Sequence, residues 1–152
     1  MSGLKDMIPR VIFVGGLPGS GKTPYLEQLR DQGYEVFDDF QANARENSPH
    51  FERARRCEEL IQTLRSGRIC VVADMRLICP DYRQEAQRFL EKALGSIALE
   101  WRFFENDADQ CKLNIASGLR ASESRLAKLK EYSRKYSVPS DAVRMPVWRE
   151  KP

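Results

Sequence analysis

Eight consecutive residues, Gly16-Leu17-Pro18-Gly19-Ser20-Gly21-Lys22-Thr23, satisfy the pattern G-x-x-x-x-G-K-[ST] without a mismatch. The small glycines let the backbone bend tightly around an anion, with successive N–H groups pointing inward as a nest. A helix beginning directly after the loop would add the positive end of its dipole to the same oxygens. Lys22 is expected to reach the β- and γ-phosphates of a nucleotide, and the Thr23 hydroxyl to ligate Mg²⁺. Gly16, Pro18, Gly19, Ser20, Gly21, Lys22 and Thr23 are therefore the candidate nucleotide-binding residues. A flexible glycine turn would explain neither Lys22 nor Thr23.

Such a loop needs a strand before it and a helix after it. Val11-Ile12-Phe13-Val14 is a short continuous apolar run, as expected of a buried parallel strand. The helix after the loop should end at Gly33, a C-cap candidate, and Pro24 falls in its first turn, where a missing N–H costs little. Residues 34–37 read as a second strand, closed by Asp38-Asp39, with a polar loop over 41–47. Ser48-Pro49 should start a helix running through Leu60, Ile61 and Leu64 to Gly67. Residues 69–73 form a third strand with Asp74 at its end, and Pro80-Asp81 opens a helix that reaches Gly95. A fourth strand follows over 97–104, and Asp107 with Gln110 resembles a capping box. The next helix breaks near Gly118 and resumes with Leu126, Leu129, Tyr132 and Tyr136 on one stripe, a core-packing pattern. Residues 143–148 form a possible fifth strand, which Pro146 would confine to an edge. Alternating strands and helices predict a three-layer α/β/α sandwich around a parallel sheet, in a single domain spanning 1–152.

Asp74 closes an apolar run beside the loop, as does a Walker B carboxylate that holds Mg²⁺ directly or through water. Its alternative role is to cap the next segment. Ligands of open α/β sheets bind at the carboxyl ends of the strands, where Asp38, Asp39 and Asp74 all fall. Zinc chemistry is disfavoured, because Cys57, Cys70, Cys79 and Cys111 lie far apart and His50 is the sole histidine. Cys57 and Cys70 fall in apolar stretches and read as buried reduced thiols. No apolar run reaches a membrane span and the N-terminal residues lack a signal-peptide layout, so the expected location is cytoplasmic, without membrane contact. The net charge of +3 is unevenly spread: residues 1–111 carry 15 Lys and Arg against 18 Asp and Glu, whereas 112–152 carry 10 against 4. The basic quarter suits an anionic ligand such as polyphosphate or nucleic acid, or else forms a solvated helix face.

The chain resembles the small P-loop kinases, in particular the branch related to polynucleotide kinase and the zeta-toxin-like kinases. The resemblance rests on residues 11–23, on Val36-Phe37-Asp38-Asp39-Phe40, on Val71-Val72-Ala73-Asp74 with Pro80-Asp81-Tyr82-Arg83, and on the Arg-rich stretch 120–134. It implies a five-stranded sheet of order 2-3-1-4-5 and transfer of the ATP γ-phosphoryl group to a hydroxyl. It also implies a base carboxylate after strand two, matched best by Asp38 and next by Asp39. A hydroxyl of high pKa does need a carboxylate to accept its proton in the transition state. The resemblance further implies a lid, here 112–136, whose arginines reach the transferring phosphoryl; Arg120 and Arg125 match. Where relatives often place an arginine soon after a cysteine, this chain has Cys111-Lys112-Leu113-Asn114.

The resulting expectation is a kinase using ATP and Mg²⁺ on a small-molecule or nucleic-acid hydroxyl. Its rivals are a nucleotide-binding switch or adaptor without kinase activity, and an NTPase acting on nucleic acid. GTPase identity is disfavoured, since no Asn-Lys-x-Asp motif occurs.

Overall fold

The computed structural model describes residues 8–41, 50–118 and 123–149. Five strands form one parallel sheet: β1 (Arg10–Gly15), β2 (Glu35–Phe37), β3 (Cys70–Ala73), β4 (Ala98–Phe104) and β5 (Val143–Met145). Their order is β2-β3-β1-β4-β5. Strand β1 is central, with Val11 opposite Cys70 on one side and Leu99 on the other. Among the described residues five α-helices cover the sheet: α1 (Lys22–Asp31), α2 (Cys57–Arg65), α3 (Pro80–Leu94), α4 (Ala108–Ser117) and α5 (Glu123–Lys135).

The continuous apolar run of β1 has a simple cause, since successive residues face opposite layers and both layers are apolar. Val11 and Phe13 join Phe51, Leu60, Leu64, Ala86 and Leu90, the layer of α2 and α3. Ile12 and Val14 join Leu26, Leu29, Cys111, Ile115 and Leu129, the layer of α1, α4 and α5. Leu126, Tyr132 and Tyr136 pack half-buried against that second layer, so the predicted stripe on α5 is core packing. Strand β5 pairs only with β4 at the sheet edge, and Pro146 lies just beyond its last residue. Among the described residues no helix is long and apolar enough to cross a membrane.

The expected helix from Ser48-Pro49 to Gly67 is not continuous. Ser48 and Pro49 lie outside the described residues; from His50 the chain makes a short 3₁₀ turn (Phe51–Arg53), extends at Ala54 and enters α2 only at Cys57. Tertiary anchoring explains the break. Phe51 is fully buried, stacked on Phe40 at 4.7 Å and edge-on to Phe13 and Tyr82. Its N–H also donates to the Glu85 carboxylate of α3. These contacts outweigh the local gain from continuing a helix. The capping box at α4 is half formed: Asp107 Oδ1 accepts the Gln110 N–H at 3.1 Å, but the Gln110 side chain turns forward to Asn114 Oδ1.

Candidate functional site

The loop 16–23 leaves the carboxyl end of β1 and enters α1 at Lys22. Gly19 and Gly21 have φ of 83° and 102°, a region that side chains with a Cβ avoid. No side chain caps α1, which leaves its first amides available to a ligand. The Ser20 hydroxyl is buried and has no hydrogen-bond partner among the described residues. A Cβ on Gly16 would stand 2.6 Å from that hydroxyl oxygen. A concave backbone, open helix amides and an orphaned hydroxyl fit a phosphate chain.

Lys22 is half-buried, and its Nζ lies 4.0 Å from Met75 Sδ. Burial pushes its pKa below the usual lysine value, opposed by the charges of Asp38, Asp39, Asp74 and Cys111. The strand ends thus bring the charges of Asp38, Asp39 and Asp74 within electrostatic reach of Lys22, and Met75, next to Asp74, approaches the ammonium. Asp38 and Asp39 are exposed on the turn after β2. Asp39 takes a positive φ of 48°, and its N–H donates to Asp38 Oδ1 at 2.8 Å. The next residue, Phe40, donates its N–H to the Ala73 carbonyl and ties this turn to the end of β3.

Asp74 is 6% exposed. Its Oδ1 accepts the Arg76 N–H at 3.0 Å, capping a 3₁₀ turn (Met75–Ile78), and its Oδ2 accepts the Tyr82 hydroxyl at 2.7 Å. The capping role weighed from the sequence is thus present. A carboxylate accepts about four hydrogen bonds, so capacity for a metal or its water remains. Burial raises the Asp74 pKa, opposed by the Arg76 N–H, by the Tyr82 hydroxyl and by the charges of Arg76 and Lys22. The described residues contain no cluster of three His, Cys, Asp or Glu side chains able to hold a metal ion alone. Thr23, exposed in the first turn of α1, and Asp74 suit a metal that keeps waters and shares phosphate oxygens, as Mg²⁺ does.

A cavity of about 380 Å³ lies behind Asp74, lined by His50, Arg76, Cys79, Asp81, Tyr82 and Glu85. Two of its lining residues, Arg76 and Tyr82, bind the Asp74 carboxylate, and Met75, between Asp74 and Arg76, approaches the Lys22 ammonium. His50 Nδ1 lies 2.7 Å from Glu85 Oε1, and its carbonyl accepts from Gln41 Nε2 at 2.9 Å.

Arg120 lies outside the described residues, and Arg125 is half-buried in the first turn of α5. Ile115 and Leu129, on either side of the Gly118 break, are anchored in the second core layer. Sequence reading missed Tyr82 as the partner of Asp74, and Asn114 and Trp148 as partners of the loop. Tyr82 and Asn114 fall in stretches quoted for the family resemblance but with no role attached, and Asn114 is 95 positions from the Gly19 carbonyl.

No protein-family profile matches the chain. An uncharacterized protein of Acanthamoeba polyphaga mimivirus is 25% identical over 133 residues, covering 85% of this chain and 87% of that protein. Among solved structures, a gluconokinase from Sinorhizobium meliloti superimposes with a TM-score of 0.65 at 17% identity, covering 94% of this chain and 85% of that one. A fungal RNA kinase gives 0.60 at 13% identity, covering 95% and 77%. The Mycobacterium tuberculosis APS kinase gives 0.58 at 18% identity, covering 94% and 91%. At these identities the likeness speaks to architecture, and it agrees with the strand order and with the loop between β1 and α1. This chain has the α/β fold seen in the P-loop kinases.

Proposed function

We propose that the chain is an ATP-dependent kinase that moves the γ-phosphoryl group of ATP to a hydroxyl of a small molecule or a nucleic-acid end. The observation that carries this reading is the convergence of Lys22, on the glycine loop, with three carboxylates from two other strand ends. Burial disfavours the Lys22 ammonium, the three carboxylates offset part of that cost, and polyphosphate on the loop would add a direct counter-ion. Loop amides and Lys22 would bind the β- and γ-phosphates, and Thr23 and Asp74 would hold Mg²⁺. When bound, the ion neutralises charge developing on the phosphate oxygens.

In this reading Asp38, or Asp39 beside it, accepts the proton of the acceptor hydroxyl. The acceptor oxygen bonds to the γ-phosphorus as the bond to the β,γ-bridging oxygen breaks, and ADP leaves. Arg125, and Arg120 from outside the described residues, would stabilise charge on the phosphoryl group in flight. The cavity beside Asp74 falls within the size range of small-ligand pockets and is a candidate acceptor site, since Arg76 and Tyr82 of its wall bind the Asp74 carboxylate. The gluconokinase and RNA kinase folds allow either acceptor class.

One observation favours the rival, a nucleotide-binding adaptor: the Asp74 carboxylate already caps a turn and binds Tyr82. Radiolabelled phosphoryl transfer from ATP to a panel of sugars, nucleosides and 5′-hydroxyl oligonucleotides tests the proposal. A labelled product supports it. Tight ATP binding with no transfer to any acceptor and no hydrolysis would shift the reading to the adaptor.

A further inference from the structure

The outer side of the phosphate loop is bound by two elements from the far end of the chain. Asn114 of α4 donates from Nδ2 to the Gly19 carbonyl at 2.8 Å and to the Trp148 carbonyl at 2.7 Å, while its Oδ1 accepts from Gln110 Nε2 at 2.9 Å. Two carbonyl acceptors on one side and an amide donor on the other fix the orientation of this amide, and both Nδ2 hydrogens are used. Trp148, just past β5, donates its own N–H to the Ser20 carbonyl at 2.9 Å. The helix also touches the loop directly, since a Cβ on Gly19 would stand 2.5 Å from the Cys111 carbonyl oxygen.

A peptide unit is planar and trans, so its C=O and N–H point in opposite directions. With the Ser20 carbonyl held outward by Trp148, the Gly21 N–H of the same unit is aimed to the inner side of the loop. With the Gly19 carbonyl held by Asn114, the Ser20 N–H is kept on its turn bond to Leu17 O at 3.1 Å. One side chain thus sets two successive peptide planes, the first directly and the second through Trp148. Gly19 and Gly21 would otherwise let these planes rotate, because glycine crosses φ space at little cost.

We propose that Asn114 is a positioning residue for the nucleotide phosphates: it holds the loop in its phosphate-binding shape before any ligand arrives. This rests on the reading of 16–23 as a phosphate cradle. Without Asn114 the binding shape becomes one of several, and apparent affinity falls by the fraction of time it is occupied.

The test is calorimetric titration of inorganic tripolyphosphate, which has no base or sugar, into the wild type, Asn114→Ala and Lys22→Ala at a temperature where all three are folded. The expected result is binding roughly tenfold weaker in Asn114→Ala, as for a loop competent about a tenth of the time. Amide exchange at Ser20 and Trp148 should quicken in the same variant. A purely structural asparagine would lower the melting temperature and leave tripolyphosphate affinity unchanged, which would overturn the proposal. Should Asn114→Ala not fold, Asn114→Ser, with one donor left, is read by the same two measurements. If the wild type binds tripolyphosphate and Lys22→Ala does not, unchanged affinity in the Asn114 variant defeats this inference alone. If the wild type does not bind it, the cradle reading fails and takes the inference with it.

Discussion

Replacing Gly19 by alanine perturbs the loop at its tightest point. The added Cβ would lie 2.5 Å from the Cys111 carbonyl oxygen and 2.9 Å from Ile115 Cγ1. Neither atom yields easily, because the oxygen belongs to the α4 backbone and both residues are buried in the core. Backbone strain adds to the clash: at φ of 83°, alanine sits in the left-handed region, costing roughly 1–2 kcal/mol. Overpacking against a fixed helix costs roughly 1–3 kcal/mol, so the total is about 2–5 kcal/mol. For a domain of this size each kcal/mol lowers Tm by roughly 2–4 °C. Gly118→Ala is the matched control. Its φ is −83°, and a Cβ there would meet only the Asn114 and Ile115 carbonyl oxygens at 3.4 and 3.5 Å. That alanine should be neutral or stabilising by up to about 1 kcal/mol, through a less flexible unfolded chain. Urea denaturation of both variants, read by CD, gives the comparison. A Gly19→Ala midpoint within about 0.5 kcal/mol of wild type, or an equal loss in Gly118→Ala, would refute the packing of α4 onto the loop.

Four further outcomes follow from the site. Mg-ATP at a hundred times its dissociation constant should stabilise the wild type by about 2.7 kcal/mol, most of it lost in Lys22→Ala; an unshifted wild-type melting curve would end the nucleotide-binding reading. Asp38→Asn should lower turnover roughly 10²–10⁴-fold at nearly unchanged ATP affinity, and wild-type kinetics would move the base to Asp39 or remove it. Burial holds the folded Asp74 pKa above 3.8, so its stabilising share is present below that pH and lost as pH rises through the folded value. Asp74→Asn should therefore stabilise the metal-free protein at neutral pH but not near pH 3, while weakening the Mg²⁺ dependence of ATP binding; melting curves in EDTA across pH that stay parallel would contradict this. Arg125→Ala should lower kcat more than ATP affinity in steady-state assays, and full turnover with acceptor would remove Arg125 from the site.

The glycine loop, its strand and its helix were legible in the sequence because they are local. Residues 10–31 fold into one strand–loop–helix unit whose chemistry depends on adjacent residue types. The strands were legible for a related reason, since apolar layers on both sheet faces demand continuous runs such as Val11-Ile12-Phe13-Val14. Strand order came only through family resemblance, as periodicity says nothing about which strand neighbours which. Tertiary packing decided the rest. It broke the expected 48–67 helix at Ala54, because burying Phe51 among Phe13, Phe40 and Tyr82 outweighs helix propensity. It also brought the Tyr82 hydroxyl to Asp74, and Asn114 and Trp148 to the outer carbonyls of the loop. Hydrogen bonds such as Asn114 to Gly19 and Trp148 to Ser20, each between residues far apart in the chain, leave no spacing to read. Only the assembled sheet, with α4 and the segment after β5 laid against the loop that follows β1, brings those partners within reach.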